Sequence, residues 1–259
     1  LELQTSEKVY LDLQLEVRDR GGHSARPVVG RNAIYRLARA LLRVADFEFP
    51  VRLNETTRAY FQRIALRETP ATAAAIRAFL AAPDDSSAAA KVAADSPVYN
   101  ALLRTTAVAT TARAGHAANA LPQMAQAVVN CRILPGESPD SVQETLRRVV
   151  ADTSVHVTRL GPPKPSPPTP LRADVLEAME RVGASLWPGV MVLPVMSMGA
   201  SDGVYLRRAG MPVYGISGMF LDMEDVRAHG RDERIGVREY YEGIRFLRLL
   251  VDALALRAP

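Results

Sequence analysis

A single cysteine, Cys131, stands in the 259 residues, so no internal disulfide can form and the fold is held by its core alone. Lysine is nearly as scarce: Lys8, Lys91 and Lys164 are the only three among 32 basic residues, and the rest are Arg. No block of five like charges occurs, and the net charge of +4 is spread over interleaved acids and bases, which excludes a nucleic-acid-binding arm. No apolar run reaches about 18 residues, which excludes a membrane-spanning helix. The chain opens on Leu1 and a polar stretch, without the pattern of a signal peptide, and the compartment is left open. What is present is a globular balance, 48% hydrophobic and 23% charged, with enough length for one large domain or two small ones.

Residues 9–17 alternate strictly: Val9, Leu11, Leu13, Leu15 and Val17 on one face, Tyr10, Asp12, Gln14 and Glu16 on the other. That is the period of a half-buried strand. Residues 31–45 carry Ile34, Leu37, Leu41 and Ala45 at helical spacing. Residues 46–98, with a nearly half-alanine stretch over 71–95, read as a helical insertion, because a structureless loop of that length is unusual in a compact domain. Strands follow at 101–112 and 123–134. A helix is capped by Ser138 with Pro139 at its first position, and a short strand lies around Val155 and Val157. Strand, helix, strand, strand, helix, strand is the ferredoxin-like split βαβ order. The first strand and first helix are expected to bound the open sheet edge. Residues 161–170, GPPKPSPPTP, form a stiff proline-rich linker. Beyond it helices alternate with strands at 190–196 and 211–216, the pattern of a parallel α/β unit. Two strands cannot cover a parallel sheet, so the second unit reads as incomplete. The expected fold is therefore α/β: a lid over 1–160 with its insertion at about 46–98, the linker, and an incomplete α/β segment over 171–259.

Four motifs carry chemistry. Gly21-Gly22-His23 turns sharply after a strand, where an imidazole can donate to a developing oxyanion or simply cap the loop. Asn119 opens a strand whose polar face carries Arg132; an amide and a guanidinium can grip a carboxylate, and either can equally be a surface group. Gly199-Ala200-Ser201-Asp202-Gly203 sits between a strand and a helix and matches the nucleophile elbow G-x-S-x-G, with Asp222, Asp225 and His229 following in the order of a serine hydrolase. The same turn can instead bind an anion through its backbone. His229, in a polar loop before the last helix, suits a metal ligand or a base.

In this order and at these distances, GGHSARP, NALPQMAQAVVNCRILPG, MGASDG and AHGRDERI resemble the M20 family of metallopeptidases, nearest its carboxypeptidase S-like and aminoacylase-like members. The resemblance implies a ferredoxin-like lid set into an α/β catalytic domain, a homodimer formed through the lid, and two zinc ions that hydrolyse an amide in a peptide or N-acyl amino acid with a free carboxylate. Carried over by motif, it implies His229 as a zinc ligand, His23 as an oxyanion donor in the partner's site, Asn119 and Arg132 as carboxylate holders, and Gly199, Ala200 and Ser201 as the lining of the substrate cleft. No His-x-Asp and no adjacent Glu-Glu occurs, although such motifs supply most of the family's metal ligands and its general base. The expectation is a C-terminal piece, inactive alone. A serine hydrolase using Ser201 and His229, and a non-catalytic dimerisation module, are the alternatives.

Overall fold

The computed structural model describes residues 1–221, 225, 227 and 230–255. The chain starts with strand β1 (Glu2–Glu7), and after the single residue Lys8 continues into β2 (Val9–Arg18). A two-residue strand β3 (Gly22–His23) follows, then helix α1 (Ala33–Asp46), capped by the Asn32 side chain on the amides of Ile34 and Tyr35. Four helices make the insertion: α2 (Glu55–Ile64), α3 (Pro70–Ala81), α4 (Ser86–Asp95) and α5 (Pro97–Leu103). Next come β4 (Thr106–Ala114), β5 (Ala120–Leu121), β6 (Met124–Ile133), α6 (Pro139–Val150) and β7 (Val155–Arg159). The last part holds α7 (Ala173–Leu186), β8 (Leu193–Ser197), α8 (Gly203–Arg208) and α9 (Val237–Ala255).

The alternating segments meet as their pattern demands. β2 pairs antiparallel with β6, and both turn their apolar residues to one side, Leu11, Leu13 and Leu15 against Ala127, Val129 and Cys131. Helices α1 and α6 cover that side through Leu37, Ala40, Val44, Val142, Leu146 and Val150, so one layer of helices closes the core. Burial pushes the Cys131 thiol up to about 12, making it an inert core group. The sheet order is β4-β6-β2-β7, the split βαβ arrangement. This corrects one expectation: the first alternating strand does not lie at the edge. β6 flanks β2 along its whole length, and β7 pairs with residues 13–17 on its other side. The edges are β4, exposed from Val108 onward, and the short β7.

The insertion has its own core of Phe61, Ile76, Phe79, Val92, Tyr99 and Leu103, and Met196 of β8 joins it. Its fourth helix runs to Leu103, which delays the strand expected from 101 to Thr106; Ser96 caps it with Pro97 in the first turn. The insertion is also stitched to β1 and to the last part of the chain. Thr56 and Thr5 share a hydroxyl hydrogen bond at 2.7 Å, and Arg63 reaches Glu180 at 2.6 Å and the Val192 carbonyl at 3.0 Å.

β1 lies outside the four-stranded sheet. It pairs in parallel with β8, and a single bridge, Gln4 to Gly215, stands where a strand over 211–216 was expected. Leu3, Val175, Met179, Val182, Phe246 and Leu250 form the core around this pair. The proline-rich stretch is anchored at its far end: Thr169 donates its amide to the Thr5 carbonyl and its hydroxyl to the Val213 carbonyl, both at 2.8 Å. Among the described residues no helix is long and apolar enough to cross a membrane.

Candidate functional site

The structure gathers the motif residues into two groups. At the outer end of the sheet, β2 leads into Gly21 and Gly22, whose φ values of +71° and +143° suit glycine far better than any other residue. A Cβ on Gly21 would stand 3.0 Å from the Leu121 carbonyl. That tight turn lets β3 pair with β5, and the Ser24 amide donates to the Asn119 carbonyl at 3.0 Å. His23 and Asn119 are therefore neighbours, both exposed. The His23 Nδ1 accepts the Ala25 amide at 3.1 Å. In the neutral ring the proton then sits on Nε2, which is left as the donor.

At the inner end Tyr10 of β2 faces Arg132 of β6. The Arg132 Nη1 donates to the Met198 carbonyl at 3.4 Å, which places the guanidinium against the loop after β8. That loop holds Gly199, Ala200 and Ser201. Their surroundings include a cleft of about 380 Å³ between Tyr10, Lys164, Ser201 and Tyr205. The Ser201 hydroxyl donates to Glu7 Oε2 at 2.7 Å and accepts the Gly203 amide at 3.3 Å. An elbow serine activated for attack would instead donate to an imidazole.

Beneath the loop lies a set of buried charges that the sequence reading missed. Glu7 and Arg207, with side chains 3% and 2% exposed, are in contact at 2.6 Å. The contact is not aligned as a hydrogen bond, and Arg207 Nε and Nη2 are likewise buried without one. Lys8 is also buried and donates to the Arg104 carbonyl at 2.7 Å. Burial drops its ammonium to about 8, against a weaker upward pull from Glu137, while Arg132 adds a downward push. The available signal was positional: Lys8, one of three lysines, stands at the start of the most strictly alternating strand in the chain.

Arg18 lies eight steps along β2 from Tyr10, so the two groups are roughly 26 Å apart within one subunit at about 3.3 Å per residue. His229 and Asp222 lie outside the described residues. Near them Asp225 is held below the usual carboxylate range by hydrogen bonds from Arg234 and then Arg227. Among the described residues no group of three or more His, Cys, Asp or Glu side chains is placed to hold a metal ion, so these residues alone do not fit a two-metal centre.

The peptidase dimerisation domain of the M20 family matches residues 5–158. The human N-fatty-acyl-amino acid synthase/hydrolase PM20D1 is 29% identical over 255 residues, 96% of this chain and 50% of that protein. A probable carboxypeptidase S-like 2 of Dictyostelium discoideum is 27% identical over 249 residues, 95% of this chain and 47% of that protein. The chain thus spans about half the length of the curated relatives it matches. Two solved structures share the fold. An M20 family metallo-carboxypeptidase of Sulfolobus solfataricus has a TM-score of 0.66 at 17% identity, over 97% of this chain and 60% of that one. The aminopeptidase PepT of Bacillus cereus has a TM-score of 0.59 at 16% identity, over 98% and 54%. With more than half of its residues matching that domain, and with this sheet order and insertion, the chain belongs to the M20 peptidase family.

Proposed function

We propose that this chain forms the lid and part of the catalytic domain of a homodimeric M20 amidohydrolase, and that its substrate is a peptide or N-acyl amino acid with a free carboxylate. The observation that carries the reading is the division of the motif residues between two ends of one sheet. Arg132, held against the loop of Gly199, Ala200 and Ser201, takes the carboxylate with its planar fork. His23 and Asn119 stand too far away to serve that carboxylate's own site, and they complete the site of a second subunit. There the Nε2 proton of His23 stabilises the oxyanion formed when the amide is attacked, while Asn119 adds an amide to the carboxylate's hold. The exposed β4 edge and the adjoining face of α1, with Tyr35 and Leu42 exposed, supply a surface for that second subunit.

The names of the relatives, a fatty-acyl-amino acid hydrolase and a carboxypeptidase-like protein, favour the same substrate class. Zinc ions in such an enzyme would polarise the amide carbonyl and acidify a water. Of this chain's residues, His229 is the one its motif assigns to hold such an ion, as an imidazole ligand. The sequence holds no His-x-Asp and no adjacent Glu-Glu, so the 259 residues by themselves are expected to show no chelator-sensitive amidase activity.

The test is complementation in the active enzyme. His23→Ala removes one oxyanion donor, typically worth about 3–4 kcal/mol, and should cut turnover roughly a hundredfold or more. Mixed with a His229→Ala subunit, inactive by itself, it should recover about half the wild-type activity per mixed dimer, because both lesions fall in one site. Mixed dimers that form and stay inactive would show that His23 does not act in the partner's site.

A further inference from the structure

Arg132 is tied into a closed ring of side chains on the polar face of the sheet. The register puts Tyr10 opposite Arg132 and Asp12 opposite Asn130, two successive cross-strand pairs on one face. Arg132 Nε donates to Asn130 Oδ1 at 3.1 Å. Asn130 Nδ2 donates to Asp12 Oδ1 at 2.7 Å, and the Tyr10 hydroxyl donates to Asp12 Oδ2 at 2.7 Å. The Tyr10 ring closes the circuit: the Arg132 guanidinium lies over it, 4.6 Å from its centroid.

Each link constrains the next. Asn130 can serve Arg132 and Asp12 together in one amide orientation only, oxygen toward the guanidinium and nitrogen toward the carboxylate. Asp12 accepts with both oxygens, so its plane is fixed by Asn130 on one side and Tyr10 on the other. The bond to Asp12, ahead of burial, pushes the Tyr10 phenol up, so the hydroxyl remains a donor across the working range of pH. Nε hydrogen-bonded from one side and a ring stacked beneath set the position and tilt of a planar group. Nη2 makes no hydrogen bond among the described residues, which leaves that prong of the fork available.

We propose that Tyr10, Asp12 and Asn130 are positioning residues that hold the Arg132 guanidinium in the plane in which it receives the substrate carboxylate. The proposal rests on the reading of Arg132 as the carboxylate-binding group. A flexible Arg would spend much of its binding on being ordered, whereas one held before substrate arrives does not.

Two readouts test it. On the chain itself, the Nε–H signal of Arg132, assigned by its loss in Arg132→Lys, should be shifted upfield by the Tyr10 ring and slow to exchange in nitrogen-edited NMR. Tyr10→Phe should keep the ring shift and speed the exchange, Tyr10→Leu should abolish the shift, and Asp12→Ala should broaden the signal. In the active enzyme, Asp12→Ala and Tyr10→Leu should lower the preference for a carboxylate substrate over its carboxamide by about tenfold through KM, the scale of one charge-assisted hydrogen bond, with kcat little moved. Tyr10→Phe should lower that preference less. Tyr10→Phe removes one hydroxyl from a half-exposed ring, and it decides the matter should Asp12→Ala not fold. Variants that fold yet leave either the signal or the preference as in the wild type overturn the proposal, while the carboxylate reading stands. If Arg132→Lys leaves the preference intact, Arg132 does not bind the carboxylate, and the reading and the proposal fall together.

Discussion

At the outer end of the four-stranded sheet, His23 and Asn119 sit in exposed loops bent by Gly21 and Gly22. At the inner end, Glu7, Lys8, Arg104 and Arg207 bring four charged groups below a tenth exposure: Glu7 against Arg207, Lys8 on the Arg104 carbonyl, and Arg104 paired with the Glu48 carboxylate. The first arrangement is cheap to fold and leaves its polar groups for something outside the subunit. The second is expensive, because each charge gives up water and must be met by a partner in one geometry. The contrast teaches where each half of the proposed site gets its accuracy. Arg132 and the loop after β8 are fixed from below by the fold, whereas His23 is held within the subunit by its own loop, through the Ala25 amide, and on the proposed reading gains its remaining contacts from a second surface.

Arg207→Ala is the strongest test of the expensive end. It strands the Glu7 carboxylate and should cost about 3–5 kcal/mol in denaturant unfolding. Adding Glu7→Leu, with Arg207→Met in place of Ala, should regain most of that loss; a single variant within experimental error of wild type would mean the inner charges are not coupled. Lys8 gives the next largest effect, on the order of 2–3 kcal/mol, and a sign. Its folded value of about 8 lies below the ordinary 10.5, so the unfolded chain binds more protons between those values, and stability should rise with pH across that window. The thiol of Cys131 acts in the opposite sense at higher pH, its value being raised. Subtracting the profile of Lys8→Met from that of wild type isolates the lysine, and a flat difference would show that it is not buried as described. Gly21→Ala, at φ +71°, should cost about 1–2 kcal/mol and displace the His23 loop, seen as lost dimer activity beyond the loss of stability. The smallest effect belongs to the cheap end: His23→Ala should change unfolding by less than about 0.5 kcal/mol, as an exposed substitution does.

The same contrast governs what the residues themselves could tell. β2, β6, α1 and α6 were legible because their burial is apolar and periodic, and Ser138-Pro139 marked a helix start outright. β1 was not legible: its buried positions include Thr5 and Glu7, polar side chains whose partners, Thr56 for the first and Arg207 and Ser201 for the second, come from distant segments. Alternation also fixes which way a residue points but not which strand lies beside it, so β2 could be read as a strand while its central place in the sheet could not. At the site, Arg132 could be placed on a polar face by counting. Its tie to Asp12 depends on register, and register becomes visible only when β2 and β6 are laid side by side. His229 was named from its motif alone.

One residue, Lys8, separates the last residue of β1 from the first of β2, and those strands belong to different sheets. With no slack in the joint, the two sheets behave as arms of one lever whose fulcrum is a buried ammonium. A push on the lid at Val9 would reach Glu7 two residues away, whose carboxylate accepts from the hydroxyl of Ser201 and touches the guanidinium of Arg207. In the proposed dimer, a second subunit seated on the lid would load the loop beside Arg132 as well as bring a histidine to the partner's site.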